Sequence, residues 1–309
     1  AKSLNGLMEA YRLDGFEWLV YDGYQPIEKV GVCGWHLRYW PYWLDLWHQN
    51  WERLAKNGFD KDRCKQFYGG TSKESLINWY RLEYEKARVH GAQYMVLHVC
   101  HVDLFEVYTG DYHYTDEQVV EATIELVNAA FDTASEIPLL FENLWWPGLR
   151  FDKVHIVERL IEGISYQNAG LLLDLSHLAL STGKVGGASD LVHTVGNMLS
   201  VLGPYKDLVR AIHCSFPFHG DRFLQMQNQY RIDRSLNLLP HWQMTGCIDD
   251  VEFCFNQILE TIHALDTHRP LKETDLKAIL DMVKPEWLVH EVLPNSLSQM
   301  EDWLEWIVN

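Results

Sequence analysis

Residues 170–177 read GLLLDLSH. Gly170 to Leu173 form an apolar run too short for an ordinary helix, and Asp174 closes it, so the stretch predicts a buried strand with a carboxylate at its end. A carboxylate buried there without a partner would cost several kcal/mol. The simplest partner is a cation. His177, three residues beyond Asp174, adds an imidazole to the same end of the strand.

Working outward, comparable runs recur along the chain: Phe16 to Tyr21, Val30 to Leu37, Tyr94 to Val99, Pro138 to Glu142, Val209 to Cys214 and Trp287 to Val292. Between them, Leu76 to His90, Asp116 to Ser135, His155 to Ile164, Asp190 to Leu202, Asp249 to Leu265 and Thr274 to Val283 carry helical periodicity. Strands alternating with amphipathic helices predict an α/β protein with a parallel sheet. An open doubly wound sheet would advertise a Gly-rich phosphate loop behind a strand, and none is present. A TIM (β/α)8-type barrel is therefore expected, with one strand too few. Because the chain opens on a helix-like stretch, Leu4 to Leu13, the first strand is expected to be missing from the chain start. No linker or low-complexity tract interrupts residues 1–309, which are read as a single barrel domain.

Composition narrows the function. The 309 residues are 47% hydrophobic, which excludes a disordered chain, and 26 Lys plus Arg against 43 Asp plus Glu give a net charge of −17. Such a chain repels a phosphate backbone, so no nucleic-acid partner is expected. The six cysteines include no C-x-x-C pair, and no apolar run or signal-like start suggests a membrane or export. A cytoplasmic location and no membrane partner are expected.

Every expected strand after the first ends in or near a residue able to bind metal: His36, His98, Glu142, Asp174, His213 and Glu291. In a βα barrel those ends surround the mouth, where active sites form. The set Glu142, Asp174, His213 and Glu291 predicts one divalent ion, and His36, His98 and His177 a second site. Mixed carboxylate and imidazole ligands without Cys suit Mn²⁺, Zn²⁺, Co²⁺ or Fe²⁺. The aromatic stretch HLRYWPYWLDLWHQNW, His36 to Trp51, places Trp43, Trp47 and Trp51 four residues apart. They are expected to form one helix face packed on the barrel, or on a second subunit in a homo-oligomer.

At these residues the chain resembles the xylose-isomerase-like βα-barrel superfamily, which includes sugar isomerases, sugar-phosphate and ketose epimerases and endonucleases of the endonuclease IV kind. The resemblance spans about Gly15 to Val292 and is carried by Glu142-Asn143 after a strand, Leu173-Asp174-x-x-His177, the strand-terminal His213 and the late Glu291. It implies that Glu142, Asp174, His213 and Glu291 bind one metal and that His177 contacts substrate or a further metal. Asn143, Trp145 and His101 join His177 as expected substrate contacts. The expected function is that of a metal-dependent isomerase or epimerase acting on a carbohydrate, with Glu142 and Glu291 as acid and base. Alternatives are an endonuclease IV-like phosphodiesterase, a metal-dependent peptide-modifying oxidase and a non-catalytic ligand-binding barrel. Extra histidines such as His36 and His98 suit the endonuclease IV branch. However, its Asp-Arg-His triplet is met only by Asp221-Arg222-Phe223, unless His219 substitutes.

The charge and the broken triplet predict no cleavage of abasic-site duplex DNA at physiological salt. Metal-dependent nicking that disappears in Glu142→Gln would contradict this.

Overall fold

The computed structural model describes residues 3–19, 31–133, 135–183, 185–216, 221–240, 243, 251–292, 294 and 296–308. Seven parallel strands form one sheet in chain order: β1 (Phe16–Leu19), β2 (Val32–His36), β3 (Tyr94–His98), β4 (Leu139–Glu142), β5 (Ala169–Asp174), β6 (Val209–His213) and β7 (Trp287–Val289). The sheet curls into a nearly closed barrel, with helices between successive strands from β2 to β7, as expected from the alternation of runs. Among the described residues no strand joins β7 to β1, so the eighth stave is not among them.

Strand alternation sorts the side chains. Met95, Leu97, Leu139, Phe141, Leu171, Leu173 and Ile212 point outward into the main core shared with the helices. Tyr94, Val96, Leu140, Leu172 and Ala211 point inward, with Trp287 and Val289 packed against them. This inner plug fills the barrel. Two residues further along each strand, the same inward series continues to His98, Glu142, Asp174, His213 and, past the end of β7, Glu291. Apolar filling below and polar ligands above thus follow from one period-two rule.

The long helices fall close to their expected spans, at Lys73–Val89, Asp116–Ala130, Val154–Gly163, Ala188–Leu202, Val251–Leu265 and Glu273–Val283. The second is shorter than expected because Phe131 turns extended (φ −113°, ψ 145°) and is buried. Leu4–Tyr11 is the expected N-terminal helix, and its Leu7 packs on Leu304 and Ile307 of a helix over Leu297–Val308. The tryptophan face is not one helix. Gln49 adopts φ 57°, splitting the run into Leu44–Trp47 and Trp51–Lys56. Trp43 and Trp47 are nevertheless buried within this chain, their indole N–H groups donating to the Cys100 carbonyl (2.8 Å) and Glu125 Oε2 (3.2 Å). Cys33, Cys64, Cys100, Cys214 and Cys254 are free thiols, and no described helix is long and apolar enough to cross a membrane.

The loop behind β4 is held close to the barrel by Gly148. Its φ is 139°, and an added Cβ would stand 2.1 Å from the Val99 carbonyl oxygen. Gly148→Ala is expected to cost about 2–4 kcal/mol, from backbone strain plus the clash, read as a shift in denaturant midpoint. An unchanged midpoint would contradict that close approach.

Candidate metal centre

The strand ends converge as two groups that share Glu142. Glu142, Asp174, His213 and Glu291 each offer a ligand atom within 4.8 Å of all the others, and so do His36, His98 and Glu142. Glu142, Asp174 and His213 are fully buried. Glu142 Oε2 lies 3.0 Å from His98 Nε2 and 3.5 Å from His36 Nε2, whereas its Oε1 lies 3.1 Å from His177 Nδ1 and 3.7 Å from His213 Nδ1.

The imidazoles are turned by their outer nitrogens. His36 Nδ1 donates to the Leu37 carbonyl (3.0 Å), leaving Nε2 to present a lone pair toward His98 and Glu142. His213 Nε2 donates to Glu17, so its Nδ1 faces Glu291 Oε2 at 3.2 Å. Two oriented lone pairs and three carboxylates then face one another.

These residues fit a bound cation. Both Glu142 oxygens, Asp174 Oδ2, His213 Nδ1 and Glu291 Oε2 are buried without a hydrogen-bond partner, although nitrogens and oxygens stand close together. Close approach without hydrogen-bond alignment is what co-ligands directed at a common centre show. Sixfold or tetrahedral coordination is open to such a donor set.

A third cluster adjoins the first. His177 Nδ1 donates to the Asn143 carbonyl (2.9 Å) and His268 Nδ1 to the Glu291 carbonyl (3.2 Å), so both Nε2 atoms face Asp266 Oδ2, at 3.1 and 3.0 Å. Two lone pairs aimed at a carboxylate require protons or a cation between them. His177 thus faces Asp266 through Nε2, while its Nδ1 lies 3.1 Å from Glu142 Oε1 and its ring centroid 5.8 Å from that of His98, so it adjoins both the Asp266 cluster and the group of His36 and His98. Ser176 Oγ donates to the other Asp266 oxygen at 2.5 Å.

The remaining expected site residues are placed as follows. Asn143 uses both ends of its amide on the Asp174 backbone, accepting from N–H (2.9 Å) and donating to the carbonyl (3.2 Å), and so pins the end of β5. The Trp145 ring lies 4.8 Å from that of His177. His101 is held elsewhere: its Nδ1 accepts from the Trp43 and Leu44 N–H groups, between Tyr42 and Tyr114. Burial puts its pKa well below the usual histidine range. Tyr39 lies over His98, ring centroids 4.1 Å apart.

Three site residues escaped the sequence reading: Glu17, Asp266 and His268. The Asp-x-His spacing sought at 221–223 is present instead at Asp266-Thr267-His268, while His219 lies outside the described residues. That spacing was the available signal.

Electrostatics match the geometry. Burial alone would lower the pKa values of His213 and His177, but carboxylates overcome it: Glu17, Glu291 and Glu142 for His213, Asp174 and Asp266 for His177. Both are raised well above the ordinary value. His268 is likewise pushed up to about 10, by Glu291 and Asp266 against its burial. For Asp174, burial and the neighbouring Glu291 and Glu142 push the carboxyl well up, and His177 opposes them. Burial lowers His98.

Comparison of the sequence with protein-family models and with curated proteins finds no match to either. Among solved structures, the chain is similar to endonuclease IV from Thermus thermophilus at 12% identity, with a TM-score of 0.39, covering 89% of this chain and 96% of that one. It is also similar to a D-tagatose 3-epimerase-like protein at 10% identity, with a TM-score of 0.34, covering 76% and 91%. Both TM-scores fall below 0.5, so the barrel assignment rests on the strand order and register of this chain.

Histidines with raised pKa stabilise the metal-free fold fully below the unfolded value of about 6.5, and that contribution is lost as pH rises through the folded values. The melting temperature of chelator-treated protein should therefore fall between about pH 6.5 and the value of about 10 of His268, and added Zn²⁺ should remove most of that fall by replacing protons. A metal-free melting temperature that rises over this window would contradict the assignment.

Proposed function

We propose that this chain is a divalent-metal-dependent enzyme that holds at least two ions around Glu142 and hydrolyses a phosphoester of a small molecule. The observation that carries it is the division of Glu142: one oxygen faces His36 and His98, the other faces the group of Asp174, His213 and Glu291. A carboxylate used on both sides suits a bridging ligand better than a proton shuttle.

Charge balance supports the same reading. Glu17, Glu142, Asp174, Asp266 and Glu291 bring five carboxylates into one buried cluster, and histidines that act as ligands stay neutral. A single divalent ion leaves that cluster strongly negative. Two or more bring it toward neutrality and make room for an anionic substrate. Ions held there would lower the pKa of a water and offset charge building on phosphoryl oxygens. The chain's own part is to fix the ligands, to cover them with Tyr39 and Trp145, and to hold a proton at His268 Nε2, beside Asp266, for a departing oxygen. The net charge of −17 favours a small substrate over a polynucleotide.

One observation favours the isomerase or epimerase reading. Glu291 Oε2 has no hydrogen-bond partner and its side chain is 23% exposed, so it could accept a proton from a carbon next to a carbonyl.

Chromogenic phosphomonoesters and phosphodiesters, tested with Mn²⁺ or Zn²⁺, should be hydrolysed, and Glu142→Gln should lower the rate at least ~100-fold. A panel of ketoses in D₂O should gain no deuterium. Metal-dependent deuterium uptake without ester hydrolysis would overturn the hydrolase reading in favour of the epimerase.

A further inference from the structure

Glu17 belongs to neither ligand group, yet its side chain is only 7% exposed and sits inside the barrel. Its Oε1 and Oε2 lie 3.1 and 3.2 Å from His213 Nε2, and the Tyr94 hydroxyl donates to Oε2 at 2.8 Å. A carboxylate only accepts, so the hydrogen of His213 must be on Nε2. The lone pair of the neutral ring is then on Nδ1, the atom that faces Glu142, Asp174 and Glu291.

The space for this arrangement is made by a third strand. At Gly34 an added Cβ would stand 2.6 Å from the Tyr94 hydroxyl oxygen, 2.5 Å from the ring carbon bearing it and 2.8 Å from Glu17 Cγ. Glycine on β2 thus lets a carboxylate from β1 and a phenol from β3 meet in the barrel interior and reach across to β6. Tyr94 also lies against Trp287 of β7, ring centroids 4.7 Å apart, which restricts the phenol from the other side.

We propose that Glu17, locked by Tyr94 in the space left by Gly34, is a positioning residue that fixes the tautomer of His213 and strengthens its Nδ1 as a metal ligand. The inference rests on the metal reading above. Its physical basis is general: a carboxylate hydrogen-bonded to the outer nitrogen of a ligand histidine orients the ring and raises its basicity. If Glu17 and Tyr94 served packing alone, metal affinity would not depend on them.

The test is competition for Zn²⁺ against a chromophoric chelator, using the full chain and the variants Glu17→Gln, Glu17→Ala and Tyr94→Phe. Loss of the carboxylate should weaken binding ~10–100-fold, and Tyr94→Phe should weaken it less. Glu17→Gln is nearly isosteric and keeps the measurement open should the alanine variant fail to fold. In parallel, long-range ¹H–¹⁵N spectra of the Zn²⁺-loaded wild type should show His213 protonated at Nε2. Unchanged affinity in Glu17→Gln, or a hydrogen on Nδ1, would overturn the positioning role while leaving the metal reading intact. A wild type that takes up no Zn²⁺, Mn²⁺ or Co²⁺ would overturn the metal reading and this inference together.

Discussion

Burial of carboxylates at one end of a parallel barrel is the constraint on which the rest of this structure depends. Glu142 and Asp174 are fully removed from water, and neither has enough aligned hydrogen bonds to offset that loss. An isolated buried carboxylate is among the costliest features a fold can carry. It is tolerated where positive charge is brought to meet it, by a cation or by protonated imidazoles. Five histidines, His36, His98, His177, His213 and His268, stand around the carboxylates for this purpose. Four of them, His36, His177, His213 and His268, direct their outer N–H to a carbonyl or carboxylate so that the inner nitrogen faces the cluster.

The barrel supplies the geometry at little extra cost. Parallel strands in register place inward side chains in layers, and the lower layer is an apolar plug of Val96, Leu140, Leu172 and Ala211. The layer above it holds the ligands. Two small-residue positions permit close approaches that support this layer. Gly34 admits Glu17 and Tyr94, and Gly148 brings the loop that carries Asn143 and Trp145 against Val99.

How far the site was legible from the sequence depended on whether a residue sat at a strand end. Apolar runs such as LLFE and LLLD mark both the strand and its terminal carboxylate, so pattern alone picks out His36, His98, Glu142, Asp174, His213 and Glu291, which the structure brings close together. Glu17 was missed because it is the second residue of its strand, among Phe16, Trp18 and Leu19, where a charged residue resembles an ordinary solvent-facing position. Asp266 and His268 follow a helix rather than a strand, and the partner of Asp266, His177, is 89 residues away in sequence. Such contacts are set by the closure of the barrel, which no local period encodes. The tryptophan run failed as a single helix for a different reason: the left-handed backbone at Gln49 leaves no mark in hydrophobic spacing.

The central claim is that Glu142 is shared between two cation sites. It is tested most directly by anomalous diffraction from crystals soaked in Mn²⁺ or Zn²⁺, with data collected on both sides of the absorption edge. Two separate maxima are predicted, one among Glu142, Asp174, His213 and Glu291 and the other among His36, His98 and Glu142, both within about 2.0–2.3 Å of their ligand atoms. A single maximum, with His36 and His98 still hydrogen-bonded to each other, would contradict it.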